Sequence, residues 1–218
     1  DGAAYGSKVA NPATLPAGEV LAASWSPDGS ALVVAGDTSP NIRAWPFSPA
    51  SGLGTAYSDP VTALSGIARG VAFHPSGRWV AVATSFTPYV EVYAWDPTTG
   101  FGAKAADPSS VPLGTASGVA WSPDGRFLAV AHSATPYVSV YEFDGRFGER
   151  LSAPAIPPTG NGRAVAFSPS GGHLAVAHTS TPFVSVYPFG GGFGAKYSNA
   201  AVAIGATTRA TSVSWSPD

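Results

Sequence analysis

Cysteine and methionine are both missing from this sequence of 218 residues. Without cysteine there is no disulfide framework and no thiolate metal site. Without methionine the chain does not begin at its own initiator, so an earlier segment, removed or lying outside this sequence, is expected. The lack of both oxidisable side chains suits an extracellular setting. Charge is scarce as well: Asp, Glu, Lys and Arg make up 11% of the residues, against roughly a quarter in ordinary globular chains. With 11 basic and 13 acidic residues the net charge is −2. No basic stripe exists for a phosphate backbone, so nucleic acid is not an expected partner. No apolar run reaches the ~18 residues of a membrane-spanning helix.

What the sequence does have is repetition. An aromatic-(Ser/His)-Pro turn recurs as Trp25-Ser26-Pro27, Phe73-His74-Pro75, Trp121-Ser122-Pro123, Phe167-Ser168-Pro169 and Trp215-Ser216-Pro217, at steps of 48, 48, 46 and 48 residues. A second mark, Ser/Thr-Pro, falls in the same phase at Pro40, Pro88, Pro136 and Pro182. A third, aromatic-Gly-x-(Lys/Arg), opens at Tyr5, Phe101, Phe147 and Phe193, and survives between them only as Leu53-Gly54. Three independent markers in one phase define a repeat architecture.

One repeat reads as four strands. "GVAWSP" (118–123) is short, apolar and closed by a turn; "SPDG" carries early Pro and late Gly, as a tight turn requires. "RFLAVAHS" follows, then the turn "SATP", then "YVSVYEF", rich in β-branched and aromatic residues, and after "DGRFG" a weaker fourth segment. In "LAVA", Leu128 and Val130 point one way and Ala129 and Ala131 the other. Both faces are apolar, so both are expected to be buried between neighbouring sheets. Tyr137, Tyr141 and Phe143 share a face, which suits a strand further from an axis. No sustained helical period occurs. The expected fold is therefore all-β: a β-propeller of four-stranded antiparallel blades.

The phase divides the chain into 1–19 (the tail of a preceding blade), blades at 20–66, 67–114, 115–160 and 161–208, and 209–218 (the first strand of a further blade). Inner strands are expected near 20–25, 67–73, 116–121, 163–167 and 210–215. The partial repeats call for a longer chain, or other copies, to complete them.

"SPDGRFLAVAHSATPYVSVYEFDG" resembles the WD40-like propeller repeats of some bacteriophage and prophage structural proteins, and "ANPATLPAG" (10–18) resembles their inter-blade segment. The resemblance covers essentially the whole chain. Ordinary WD40 repeats fit less well, because Gly-His before the inner strand is missing and Trp-Asp occurs only at Trp95-Asp96. A lesser similarity, through "SPDGRFL" and "VSVY", is to the lactonase-type seven-bladed propellers. The resemblance implies a binding platform of a virion (a phage tail or fibre) or another extracellular assembly, and does not specify a ligand.

Residues that could carry chemistry are few. His132 and His178 share one repeat position, but Gly36 and Thr84 occupy it elsewhere, short of a converging metal-ligand set. His74 and His173 sit at turns. Asp28, Asp124 and Asp218 are turn formers, replaced in other repeats by Ser76 and Ser170. Glu91 and Glu142 are single departures on third strands. No pair of carboxylates spans a cleft, no nucleophile elbow is present, and Gly190-Gly191-Gly192 does not lead into a helix. No catalytic residue, metal or cofactor is expected.

The position just before each inner strand varies most: Leu21, Arg69, Ser117, Arg163 and Thr211. In a propeller such loops cluster with the second-to-third-strand loops around one channel mouth. Arg69 and Arg163, with Ser117 and Thr211, are the candidate ligand site there, for an acidic or glycan partner. Tyr89, Tyr137 and Phe183, each following the repeated Pro and expected to be exposed, form a second set of candidate ligand contacts, although regular recurrence favours packing. The monotony of the repeat favours a non-enzymatic binding or structural scaffold, with a protein or glycan partner. The alternatives are a lactonase-like enzyme and a glycan-binding lectin.

Overall fold

The structure, a computed structural model, describes Lys8, residues 10–199 and residues 209–217. The expected mark at Tyr5, the segment 200–208 and Asp218 lie outside the described residues. Four antiparallel sheets follow one another along the chain. The first blade holds β1 (Val20–Trp25), β2 (Ala31–Gly36), β3 (Ile42–Ser48) and β4 (Gly52–Leu53). The second holds β5 (Ala68–Phe73), β6 (Trp79–Thr84), β7 (Val90–Asp96) and β8 (Gly100–Lys104). The third holds β9 (Ala116–Trp121), β10 (Phe127–His132), β11 (Val138–Phe143) and β12 (Phe147–Arg150). The fourth has β13 (Gly162–Phe167), β14 (His173–His178) and β15 (Val184–Pro188), with a lone bridge Phe189–Phe193 in place of an outer strand. No helix occurs among the described residues. The molecule is an all-β propeller.

The second and third blades bury both faces. Val80 and Val82 join the core shared with the first blade, while Ala81 and Ala83 join the core shared with the third. Leu128 and Val130 likewise face the second blade, and Ala129 and Ala131 the fourth. Each large aliphatic side chain so buried contributes about 1.5–3 kcal/mol. The inner strands β1, β5, β9 and β13 pack side by side. Glycine permits this approach: a Cβ on Gly118 would lie 2.9 Å from the Arg163 carbonyl oxygen and 3.0 Å from the Ala164 Cα. Trp121 Nε1 donates to the Ala72 carbonyl across the boundary of the second and third blades, at 3.2 Å.

Third-strand side chains tie down the segments that cross between blades. Tyr93, Tyr141 and Tyr187 hydroxyls donate to the carbonyls of Thr62, Ser110 and Ile156 at 2.8–2.9 Å. Trp45 Nε1 does the same to Thr14 at 3.1 Å. The inner strand expected near 210–215 is not formed among the described residues. Trp215 Nε1 still donates to the Ala166 carbonyl at 3.0 Å, repeating the Trp121 contact on the fourth blade.

Candidate functional site

The variable position was expected in a loop, and the structure corrects this. Leu21, Arg69, Ser117 and Arg163 each lie inside the start of an inner strand, at a β-bulge. Pairing skips from Val20 to Ala22, from Ala68 to Gly70, from Ala116 to Gly118 and from Gly162 to Ala164. A bulge leaves one residue out of the ladder and re-aims its side chain. The sequence shows the variation but not the bulge, because the extra residue disturbs no hydrophobic pattern.

The bulges of consecutive blades are neighbours. A Cβ on Gly70 would meet the Ser117 carbonyl at 3.1 Å, and one on Gly118 the Arg163 carbonyl at 2.9 Å. Arg69, Ser117 and Arg163 therefore form a row across three blades. The loops between second and third strands share this face: Thr115 Oγ1 donates to the Ser85 carbonyl at 3.2 Å, and the Tyr137 carbonyl abuts Gly162. Both arginines are half-buried. The Nε of each is buried without a hydrogen-bond partner, and neither pairs with a carboxylate among the described residues. An unmet buried donor costs about 1–3 kcal/mol, so the row presents uncompensated positive charge. Thr211 is exposed and outside any strand, and no described contact brings it to the row.

The aromatic set serves the turns. Tyr89, Tyr137 and Phe183 have left-handed backbones with φ of 66°, 69° and 71°. Their amides donate to the carbonyls of Phe86, Ala134 and Ser180 at 2.6–2.7 Å. The expectation that they are exposed is corrected: Phe183 is buried, and Tyr89 is partly buried against the core between the second and third blades.

His132 and His178 are fully buried, with Nε2 at 3.0 and 3.1 Å from the hydroxyls of Ser139 and Ser185. Burial lowers the His132 pKa to about 4, with the Ala134 backbone partly opposing, and lowers that of His178 likewise. Both rings are neutral at pH 7 and committed to their own blades. In the second blade the equivalent pair is Thr84 and Glu91. Glu91 is 1% exposed and accepts from the Ser65 amide at 2.8 Å and the Tyr93 hydroxyl at 3.2 Å. Lys104 lies 3.3 Å from it and 2.7 Å from Asp107. Burial works against the Lys104 charge, but Asp107 and Glu91 outweigh it and hold its pKa above the usual value. The sequence marks Glu91 only as a departure from Ser; its partners come from two other segments.

A concavity of about 1160 Å³ opens on the opposite face among the SPDG-type turns, where Asp28, His74, Arg78, Trp79, Asp124 and Arg126 line it. Sequence reasoning missed it. Its carboxylates are largely spent on the turns. Ser26 and Ser30 hydrogen bonds pull Asp28 down to about 2, and Asp124 accepts from Ser122 and the Arg126 amide. His74 bridges two blades, with Nε2 2.9 Å from the Gly125 carbonyl.

A family model described as lactonase, 7-bladed β-propeller, matches residues 22–195. The chain belongs to this family. Membership in the lactonase family overturns the expectation of a protein without catalysis. That expectation rested on the monotony of the repeat, and it weighed the bulge residues as ordinary loop positions. The lesser of the two resemblances read from the sequence is the one the family match supports. No curated protein matches this lactonase-family chain. Among solved structures it is similar to Kuenenia stuttgartiensis hydrazine synthase, at 18% identity and a TM-score of 0.59. The similarity covers 78% of this chain and 46% of that one. At that identity the likeness is one of fold.

Proposed function

We propose that this propeller is the whole or a part of a hydrolase that opens lactones, with the substrate carbonyl at the row Arg69, Ser117 and Arg163. The family match over residues 22–195 carries the reading, and the two arginines without carboxylate partners support the location. In lactone opening, water adds to the carbonyl carbon and the ring C–O bond breaks. The ring oxygen leaves as a hydroxyl with a proton from that water, and the new acid ionises to a carboxylate. Negative charge thus develops on the carbonyl oxygen and persists in the product. Arginine donors aimed at that charge favour the transition state over the neutral ester. Ser117, between them, adds a hydroxyl donor.

The test is hydrolysis of five- and six-membered lactones by the purified protein, followed by proton release. Arg69→Ala with Arg163→Ala should lower kcat/KM about 100-fold, with an unchanged circular dichroism spectrum. No hydrolysis of any lactone, or equal rates in the double variant, would refute the reading.

A further inference from the structure

The repeat supplies its own reference for every position, and two exposed apolar residues stand out against it in the loops of the mouth face. Phe86 is 65% exposed and Leu113 57%. The residues equivalent to Phe86 are Thr38, Ala134 and Ser180; those equivalent to Leu113 are Ala17, Ser65 and Thr159. The fold therefore builds the same turns without a large apolar side chain. The segments that carry the two departures meet across the boundary of the second and third blades. Ser85, next to Phe86, accepts from Thr115 Oγ1 at 3.2 Å, and Thr115 is two residues from Leu113. Of the other exposed apolar residues, Val20 and Leu21 open the inner strand of the first blade, and Val61 and Ile156 belong to crossing segments held over the third strands by Tyr93 and Tyr187.

Phe86 is also held in place. Its carbonyl accepts from the Ser65 hydroxyl at 3.0 Å, the Thr84 hydroxyl at 3.2 Å and the Tyr89 amide at 2.7 Å. A Cβ on Gly66 would come within 2.5 Å of its ring, so the glycine leaves the ring its space. The Ser85 amide donates to the Ile67 carbonyl at 3.0 Å, two residues before Arg69. Leu113 precedes Ser117 by four residues. Phe86, held in place, and Leu113 thus lie on segments that lead into the row that carries unpaired positive charge.

We infer that the mouth takes an amphiphilic anion or its ester precursor: a polar head at Arg69, Ser117 and Arg163, and an aliphatic chain across Phe86 and Leu113. Joined to the lactone reading, on which the assignment of a substrate rests, this makes the substrate a lactone bearing an alkyl substituent. Apolar area removed from water supplies the selectivity, growing with each methylene covered. The arginines supply orientation.

The probes are octanoate and acetate, titrated calorimetrically into the intact protein, beside hydrolysis of alkyl-substituted and unsubstituted lactones. Octanoate should bind at least about tenfold tighter than acetate. Phe86→Thr with Leu113→Ser, which installs residues the repeat itself uses, should abolish that preference and leave acetate binding and the dichroism spectrum intact. Arg69→Ala with Arg163→Ala should weaken both acids. Equal affinity for the two acids, binding of neither, or a preference that survives Phe86→Thr with Leu113→Ser would overturn the inference. If lactones are opened with no preference for the alkyl chain, the inference falls and the lactonase reading stands. If octanoate is preferred but no lactone is opened, the lactonase reading falls and the amphiphile site stands.

Discussion

Burial lowers the His132 imidazole to about 4, against about 6.5 in an unfolded chain. The folded state therefore holds the neutral ring while the unfolded state takes up a proton. The corresponding stability is fully present above pH 6.5 and is lost as pH falls from there towards 4. His132 alone should cost about 2 kcal/mol between pH 7.5 and pH 5, and His178, shifted in the same direction, adds to it. Urea unfolding at the two pH values reads the loss. His132→Thr, the residue type that Thr84 brings to this position, should reduce the pH-dependent loss and cost about 1–3 kcal/mol at pH 7.5 through the space it leaves. A pH dependence equal to that of the parent would show that His132 does not titrate on unfolding. The turn role of Asp28 and Asp124 was readable, because Pro and Gly flank them at fixed offsets. The Glu91–Lys104–Asp107 cluster was not, since the spacing of its members follows no local period.

At the level of strands, one tight requirement lies where inner strands meet. Gly118→Ala sets a methyl 2.9 Å from a backbone oxygen, which the neighbouring blade can relieve only by moving. It should cost about 1–3 kcal/mol in urea unfolding. Gly190→Ala, with nothing within 4 Å of the new methyl, should stay within about 0.5 kcal/mol of the parent. Equal effects at the two sites would mean that inner-strand contact does not limit the packing. The strands themselves were legible as alternating or doubly apolar runs closed by Pro and Gly. The bulges at Leu21, Arg69, Ser117 and Arg163 were not, because a bulge is a property of pairing between two strands.

For the whole molecule, the two ends of the propeller differ in what they present. The mouth face carries the arginine row, and the turn face carries the 1160 Å³ concavity with Arg78 and Arg126. Arg78→Ala with Arg126→Ala should leave lactone hydrolysis within about twofold, since exposed charges at the far end interact weakly through screened solvent. A loss comparable to that of the mouth variant would put the chemistry on the turn face.

The sequence by itself determined the repeat, its phase, the four-strand unit and the exclusion of helix. These follow from periods of two and of 46–48 residues that need no knowledge of neighbours. It also singled out Arg69, Ser117 and Arg163 as one variable position. Only the tertiary structure decided that these three stand side by side, that their bulged backbones lift them out of the ladder, and that the segments carrying Phe86 and Leu113 meet across a blade boundary. The reason is physical. Adjacency around a propeller joins residues about 48 positions apart, through contacts that glycine and backbone carbonyls make, and neither leaves a periodic trace in the chain.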